Sequence, residues 1–283
     1  MPEHIVGFTD TSSEYPPLLY YFDGHPEKLR AMGDLSALTG PFISVVGSRQ
    51  MTEYGQKVAR QLIPPLVRSG LTVVSGLAYG IDSFVHRLAL EHGGRCVAVL
   101  GSGLQNIYPE ANRALAGAIC SRGCLLSEYS DSEGPKARYF PERNRIVAGI
   151  SPLTLIIEAG GKSGTLITAR MALNAGREVC VVPGDITSPL TEGIHTLLGE
   201  GAKPVRTTRE ILDMYGFPEV VVTPTFNLTA DEQGLYALIP ASGSTLEHLQ
   251  SKTLLTYPVL QSRLASLELK DALYFRPPLW LRT

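Results

Sequence analysis

The chain concentrates cations and rings in one short stretch. Between Lys136 and Arg145, the cations Lys136, Arg138, Arg143 and Arg145 stand against a single acid, Glu142, with Tyr139 and Phe140 among them. Guanidinium groups beside aromatic rings suit a single nucleic-acid strand, because charge follows the backbone while rings stack on bases. The bland alternative is a solvated basic loop, which the interleaved rings make a poorer fit. Pro141 suits the first turn of a helix running to Ile150. On that helix Arg143 and Arg145 lie about 200° apart, so one is expected to face away from a ligand and pair with an internal carboxylate, Glu158.

Small-residue turns are the second chemical feature. Gly47-Ser48-Arg49, Ser75-Gly76-Leu77-Ala78-Tyr79-Gly80, Gly101-Ser102-Gly103 and Gly160-Gly161-Lys162-Ser163-Gly164-Thr165 each follow a short apolar run. The last opens a helix whose N-terminal amides and dipole favour anions. One such turn needs only to permit a tight strand-to-helix connection; several together with Arg49 predict a multi-point phosphate cradle.

Catalytic readings are weaker. Gly161-Lys162-Ser163 resembles the end of a P-loop, but Ile156 stands where that motif needs glycine, and Asn106 replaces a glycine of the dinucleotide fingerprint after Gly101. No G-x-S-x-G elbow is present. Asp82 and His86 are four residues apart, a spacing read as a local hydrogen bond at a helix start. Cys96, Cys120, Cys124 and Cys180 lack metal-ligand spacing and are read as buried reduced thiols. No catalytic residue, cofactor or metal is expected.

These residues must be positioned by a scaffold. Apolar runs at Phe42 to Val46, Leu71 to Val74, Arg95 to Leu100, Cys124 to Leu126, Leu153 to Ile157 and Glu178 to Val182 alternate with helical patterns. That is the signature of a doubly wound, mostly parallel α/β sheet buried on both faces, whose strand ends converge on one crevice. Pro64 and Pro65 predict a kink or a break in the helix after the first of these strands. The division expected is an irregular N-terminal segment packed on the sheet edge over 1–40, the α/β domain over 41–216, a linker over 217–227 and a small winged-helix-like domain over 228–283. The latter follows from helical patterns at Ala230 to Ile239, Leu246 to Ser251 and Tyr257 to Leu269, then a hairpin at Ala272 to Leu281. Only Arg263 is basic in the helix that would read a groove, so protein contact suits this domain better than DNA reading.

With 44% hydrophobic and 18% charged residues and a formal net charge of -2, the 283-residue chain is globular and has no uniformly basic surface. Neither a membrane span nor a signal core is evident, which predicts a cytoplasmic protein without a membrane partner.

The ordered motifs closely resemble the DNA-processing protein A (DprA/Smf) family over roughly Tyr15 to Tyr215. They are Gly47-Ser48-Arg49 with Tyr54-Gly55, Ser75-Gly76-Leu77-Ala78 with Gly80-Ile81-Asp82, Tyr108-Pro109, Phe140-Pro141 with Arg143-Asn144-Arg145, Ser163-Gly164-Thr165 and Val182-Pro183-Gly184. The resemblance implies an extended Rossmann-like domain that binds single-stranded DNA without cleaving it, acts as a homodimer and loads RecA recombinase in natural transformation. Motif and cradle together nominate Gly47, Ser48, Arg49, Ser75, Gly76, Gly80, Lys136, Arg138, Phe140, Arg143, Asn144, Lys162, Ser163, Gly164 and Thr165 as DNA contacts. Three departures from the family pattern stand out. The helical N-terminal domain of many members is not expected here, Ala137 occupies a position that is lysine in the family, and Val85 precedes His86. The alternative function is a Rossmann-like nucleotide phosphoribohydrolase, to which the Gly160 to Thr165 turn is similar; Leu166 and Ile167 stand where its acidic residues would be, leaving Glu158 as its only candidate acid.

Overall fold

The computed structural model describes residues 4–217, 228–240, 243–253, 255–270 and 272–282. The chain divides into two compact units, Met1–Val220 and Val221–Thr283; all but the first residue of the expected linker lies outside the described residues.

In the first unit the described strands form one nine-stranded sheet in the order β1-β2-β6-β5-β4-β3-β7-β8-β9. These are β1 (Ile5–Thr9), β2 (Lys28–Gly33), β3 (Phe42–Val46), β4 (Thr72–Ser75), β5 (Cys96–Val99), β6 (Cys124–Ser127), β7 (Leu153–Ile156), β8 (Glu178–Val181) and β9 (Lys203–Pro204). From β3 to β9 every pairing is parallel. The apolar runs read from the sequence are these strands, and β3 to β7 are buried at every residue because helices cover both faces.

Those helices are α1 (Pro17–Tyr20), α2 (Glu53–Arg68), α3 (Ile81–Glu91), α4 (Arg113–Cys120), α5 (Tyr139–Gly149), α6 (Gly164–Asn174), α7 (Glu192–Gly199) and α8 (Thr208–Met214). Two apolar clusters, one around Ile43, Leu62 and Leu77 and the other around Val46, Ile146 and Ala169, form the core. All four cysteines are free and buried. Helix α2 runs unbroken through Pro64 and Pro65, neither ending nor restarting there. Both prolines fall in its last turns, with Ile63 and Leu66 fully buried beside them, and that packing outweighs the lost hydrogen bonds.

The N-terminal segment lies at the sheet edge, but it is not irregular. β1 pairs antiparallel with β2, and β2 pairs antiparallel with β6, so the sheet is mixed. Pro16, Pro17 and Pro26 all sit in the connection between β1 and β2, where no ladder donor is needed.

The second unit contains α9 (Ala230–Ala237), β10 (Ser244–Thr245), α10 (Leu246–Lys252), α11 (Tyr257–Leu269), β11 (Leu273–Arg276) and β12 (Leu279–Arg282). Its strands form an antiparallel sheet ordered β10-β12-β11, packed on a core that includes Leu235, Leu249, Leu260 and Leu264. Among the described residues of the chain no helix is long and apolar enough to cross a membrane.

Candidate functional site

β3 lies between β4 and β7, and the chain winds outward from it in opposite directions. The loops after β3 and β7 therefore part at their carboxyl ends and open a crevice. A cavity of about 560 Å³ occupies it, lined by Gly47, Ser48 and Arg49 after β3, Gly76 after β4, Phe140, Arg143 and Asn144 of α5, and Lys162 to Thr165 at the start of α6. This volume is ample for a nucleotide-sized ligand. Of the nominated residues, Ser75, Gly80, Lys136 and Arg138 lie outside the lining.

Local chemistry holds each wall. Ser163 caps α6 by accepting from Thr165 N at 3.2 Å, and the Thr165 hydroxyl donates to Gly47 O at 3.0 Å, joining two walls of the cavity. Ser48 Oγ accepts from Gln50 N at 3.0 Å. Arg49 and Lys162 are exposed, and the Arg49 guanidinium stands 6.0 Å from the centre of the Phe140 ring. Gly101 backs that ring so closely that a Cβ there would lie 2.9 Å from it.

Arg143 forms the floor. It is 3% exposed, and its Nη1 donates to Gly76 O at 2.6 Å and to Val99 O; its Nε is buried without a partner. Burial pulls the guanidinium down to about 10, partly countered by Asp82 and reinforced by Arg49, so it stays charged at neutral pH. Gly76 is required here, since a Cβ would lie 2.6 Å from the guanidinium. A buried cation at the floor of the cavity makes the cavity attractive to anions.

Several expected pairings are different. Neither Arg143 nor Arg145 meets Glu158. Arg145 forms a two-pronged ion pair with Glu128, at 2.7 and 2.5 Å, because its side of α5 turns toward β6. Glu158 instead accepts from Thr52 N at 3.1 Å and from the Thr52 hydroxyl, fixing the start of α2. Asp82 does not bond His86. Its carboxylate accepts from Gly76 N at 3.2 Å, and burial raises its pKa, with Arg143 pulling the other way. Among the described residues neither buried ring nitrogen of His86 makes a hydrogen bond, and burial lowers its pKa to about 3, with the Ser75 backbone pulling the other way.

The residues outside the cavity have structural occupations. Ser75 donates to Val45 O at 2.6 Å, and Gly80, at φ +74°, lets the loop after β4 pass close to the backbone of Ser48 and Arg49. Lys136 pairs with Glu133 at 2.5 Å and lies 5.2 Å from the Tyr139 ring, with Arg138 at 5.3 Å from the same ring. Sequence reading did not nominate Gln50, Asp82, Thr168 or Leu190, which also line the cavity. Thr168 follows Gly164 by one helical turn, a signal available in the spacing; Leu190 arrives from a distant loop and has none.

A family model described as DNA recombination-mediator protein A matches residues 7–216. The chain is 42% identical to Protein Smf of Escherichia coli over 207 residues, 73% of this chain and 55% of that protein. It is 40% identical to DNA processing protein DprA of Streptococcus pneumoniae over 202 residues, 71% of this chain and 68% of the relative. The match thus spans little more than half of the first relative. Among solved structures, the X-ray structure of the Streptococcus pneumoniae DprA superposes with a TM-score of 0.71 at 39% identity, covering 75% of this chain and 74% of that one. DNA processing protein A of Helicobacter pylori, in a structure concerned with its single-stranded DNA binding mode, gives 0.67 at 26% identity over 76% and 98% of the two chains.

Proposed function

The chain belongs to the DNA recombination-mediator protein A family, and from that membership and its cavity we propose that it binds single-stranded DNA without cleaving it. The observation that carries the reading is the meeting of α6's N-terminus, Arg49, Lys162 and the Phe140 ring over the buried Arg143 at one crevice. A phosphate would sit at the positive, N-terminal end of α6, Arg49 and Lys162 would neutralise its neighbours, and Phe140 would stack on a base. Lys136 and Arg138 would meet the backbone beyond the cavity. Such binding is nearly blind to sequence, since every nucleotide offers a phosphate and a π-face.

The further steps of the proposal are homodimerisation, which would lengthen the track and raise avidity, protection of incoming DNA and loading of RecA recombinase during natural transformation in the cytoplasm. The helix and strand order of the second unit supports a winged-helix-like module. Arg263 is paired with Asp231 at 2.6 Å and Lys270 with Glu232 at 2.6 Å, which favours protein contact over groove reading for that unit.

The acid that the phosphoribohydrolase reading would use is already engaged. Glu158 is 2% exposed and occupied by Thr52, and Asp82 faces Gly76 N. The test is anisotropy of labelled single-stranded and duplex oligonucleotides across salt concentrations, with Arg49→Ala and Phe140→Ala. Single-strand preference weakened by both variants is the expected result; equal or absent binding, or release of free base from AMP, would overturn the reading.

A further inference from the structure

Among the described residues Phe140 is the one aromatic ring that lines the cavity, but it does not stand alone at the mouth. Tyr108, on the loop after β5, sits against it with ring centres 5.4 Å apart and planes inclined at 46°. Such an inclination leaves part of each face uncovered, unlike a parallel stack. Tyr108 is 49% exposed although its neighbours Ile107 and Pro109 are buried, so a fixed backbone holds the ring out in water. Among the described residues its hydroxyl makes no hydrogen bond to the protein. The loop is anchored as well: the buried Asn112 donates to Leu77 O at 2.9 Å and Ala78 O at 3.4 Å, tying it to the loop after β4, where Leu77 holds φ +56° and Ala78 lines the cavity.

An exposed aromatic ring on a pinned loop is costly in water and preorganised for a partner with a flat apolar face. The basic stretch before α5 offers less: Lys136 and Arg138 are both drawn onto Tyr139, which is buried and stacked on Tyr129 at 4.0 Å, so that stretch presents charge but no free ring. We propose that Tyr108 is a second stacking platform, and that a DNA strand held in the cavity leaves it over Phe140 and then Tyr108. This rests on the single-strand reading above and adds the path of the strand.

The experiment compares affinity for labelled oligothymidine in the full chain among wild type, Tyr108→Phe, Tyr108→Leu and Phe140→Ala, with the double variant Phe140→Ala/Tyr108→Leu. Leucine keeps enough bulk to support Phe140 but has no π-face. Tyr108→Leu should weaken binding about tenfold, Tyr108→Phe should stay within about twofold, and the loss from Tyr108→Leu should persist when Phe140 is already alanine. A second readout is independent of affinity: with the chain's single tryptophan removed as Trp280→Phe, emission from Tyr108→Trp should be quenched by oligothymidine. Wild-type affinity in Tyr108→Leu, or a loss that disappears in the Phe140→Ala background, would overturn the proposal while leaving single-strand binding intact. No binding by the wild type would overturn both.

Discussion

Arg143 shows how one side chain can belong to a binding site by shaping it. Spacing on α5 requires Arg143 and Arg145 to diverge, and they do; which of them turns inward is decided by tertiary partners that no local pattern contains. Arg145 finds Glu128, whereas Arg143 enters the sheet end and bridges Gly76 O and Val99 O, the carbonyls of two neighbouring strand ends. Removing it would leave two buried acceptors unsatisfied. Arg143→Ala should therefore cost about 2–5 kcal/mol in urea unfolding, and Arg143→Lys should recover little of that, because an ammonium lacks the guanidinium fork. Arg49→Ala removes an exposed side chain and should change stability by less than about 0.5 kcal/mol while weakening DNA binding. Equal stability losses in the two variants would contradict the division between a shaping and a contacting arginine.

At the scale of elements, legibility follows burial. The five central strands are buried on both faces and read as unbroken apolar runs, while β1 and β2 are only partly buried, mix apolar with polar or glycine residues and are separated by prolines, so their pattern resembles an irregular segment. The turns after β3 and β7 that line the cavity are legible because a tight turn and a helix start leave local marks in glycine, serine and threonine. Glu158 was misassigned for the opposite reason, its partner Thr52 being more than a hundred residues away in sequence. In the second unit a capping box at α9 joins Thr229 and Glu232, and the Glu232 carboxylate also accepts from Ser266 and Lys270. These bonds hold its pKa down to about 2 from an ordinary 4.5, led by Lys270. A carboxyl depressed on folding contributes stability above its unfolded value and loses it as pH falls toward the folded one. Glu232→Gln should lower the melting temperature of this unit at neutral pH, and the gap from wild type should close as pH drops from about 4.5 toward about 2. A gap independent of pH would mean that the carboxylate's charge contributes nothing.

For the whole molecule, the relevant fact is a net charge of -2 on a chain proposed to hold a polyanion. Attraction cannot come from the average field, so it must come from the few cations at the crevice: Arg49 and Lys162 at its rim, the buried Arg143 beneath, and Lys136 and Arg138 alongside, both of which already face other partners. That count bounds the number of phosphates one chain neutralises at about two to four. For single strands the logarithm of affinity falls against the logarithm of salt with a slope near -0.7 per phosphate, so a strand short enough to engage one chain should show a slope of about -1.5 to -3. Arg49→Ala should make it shallower by about 0.7. If two copies share one strand, a longer oligonucleotide should show about twice the slope of the short one at a stoichiometry of two chains per strand. A slope that stays constant with length would confine the DNA to a single chain, and one much steeper at short length would require a basic surface that the composition does not supply.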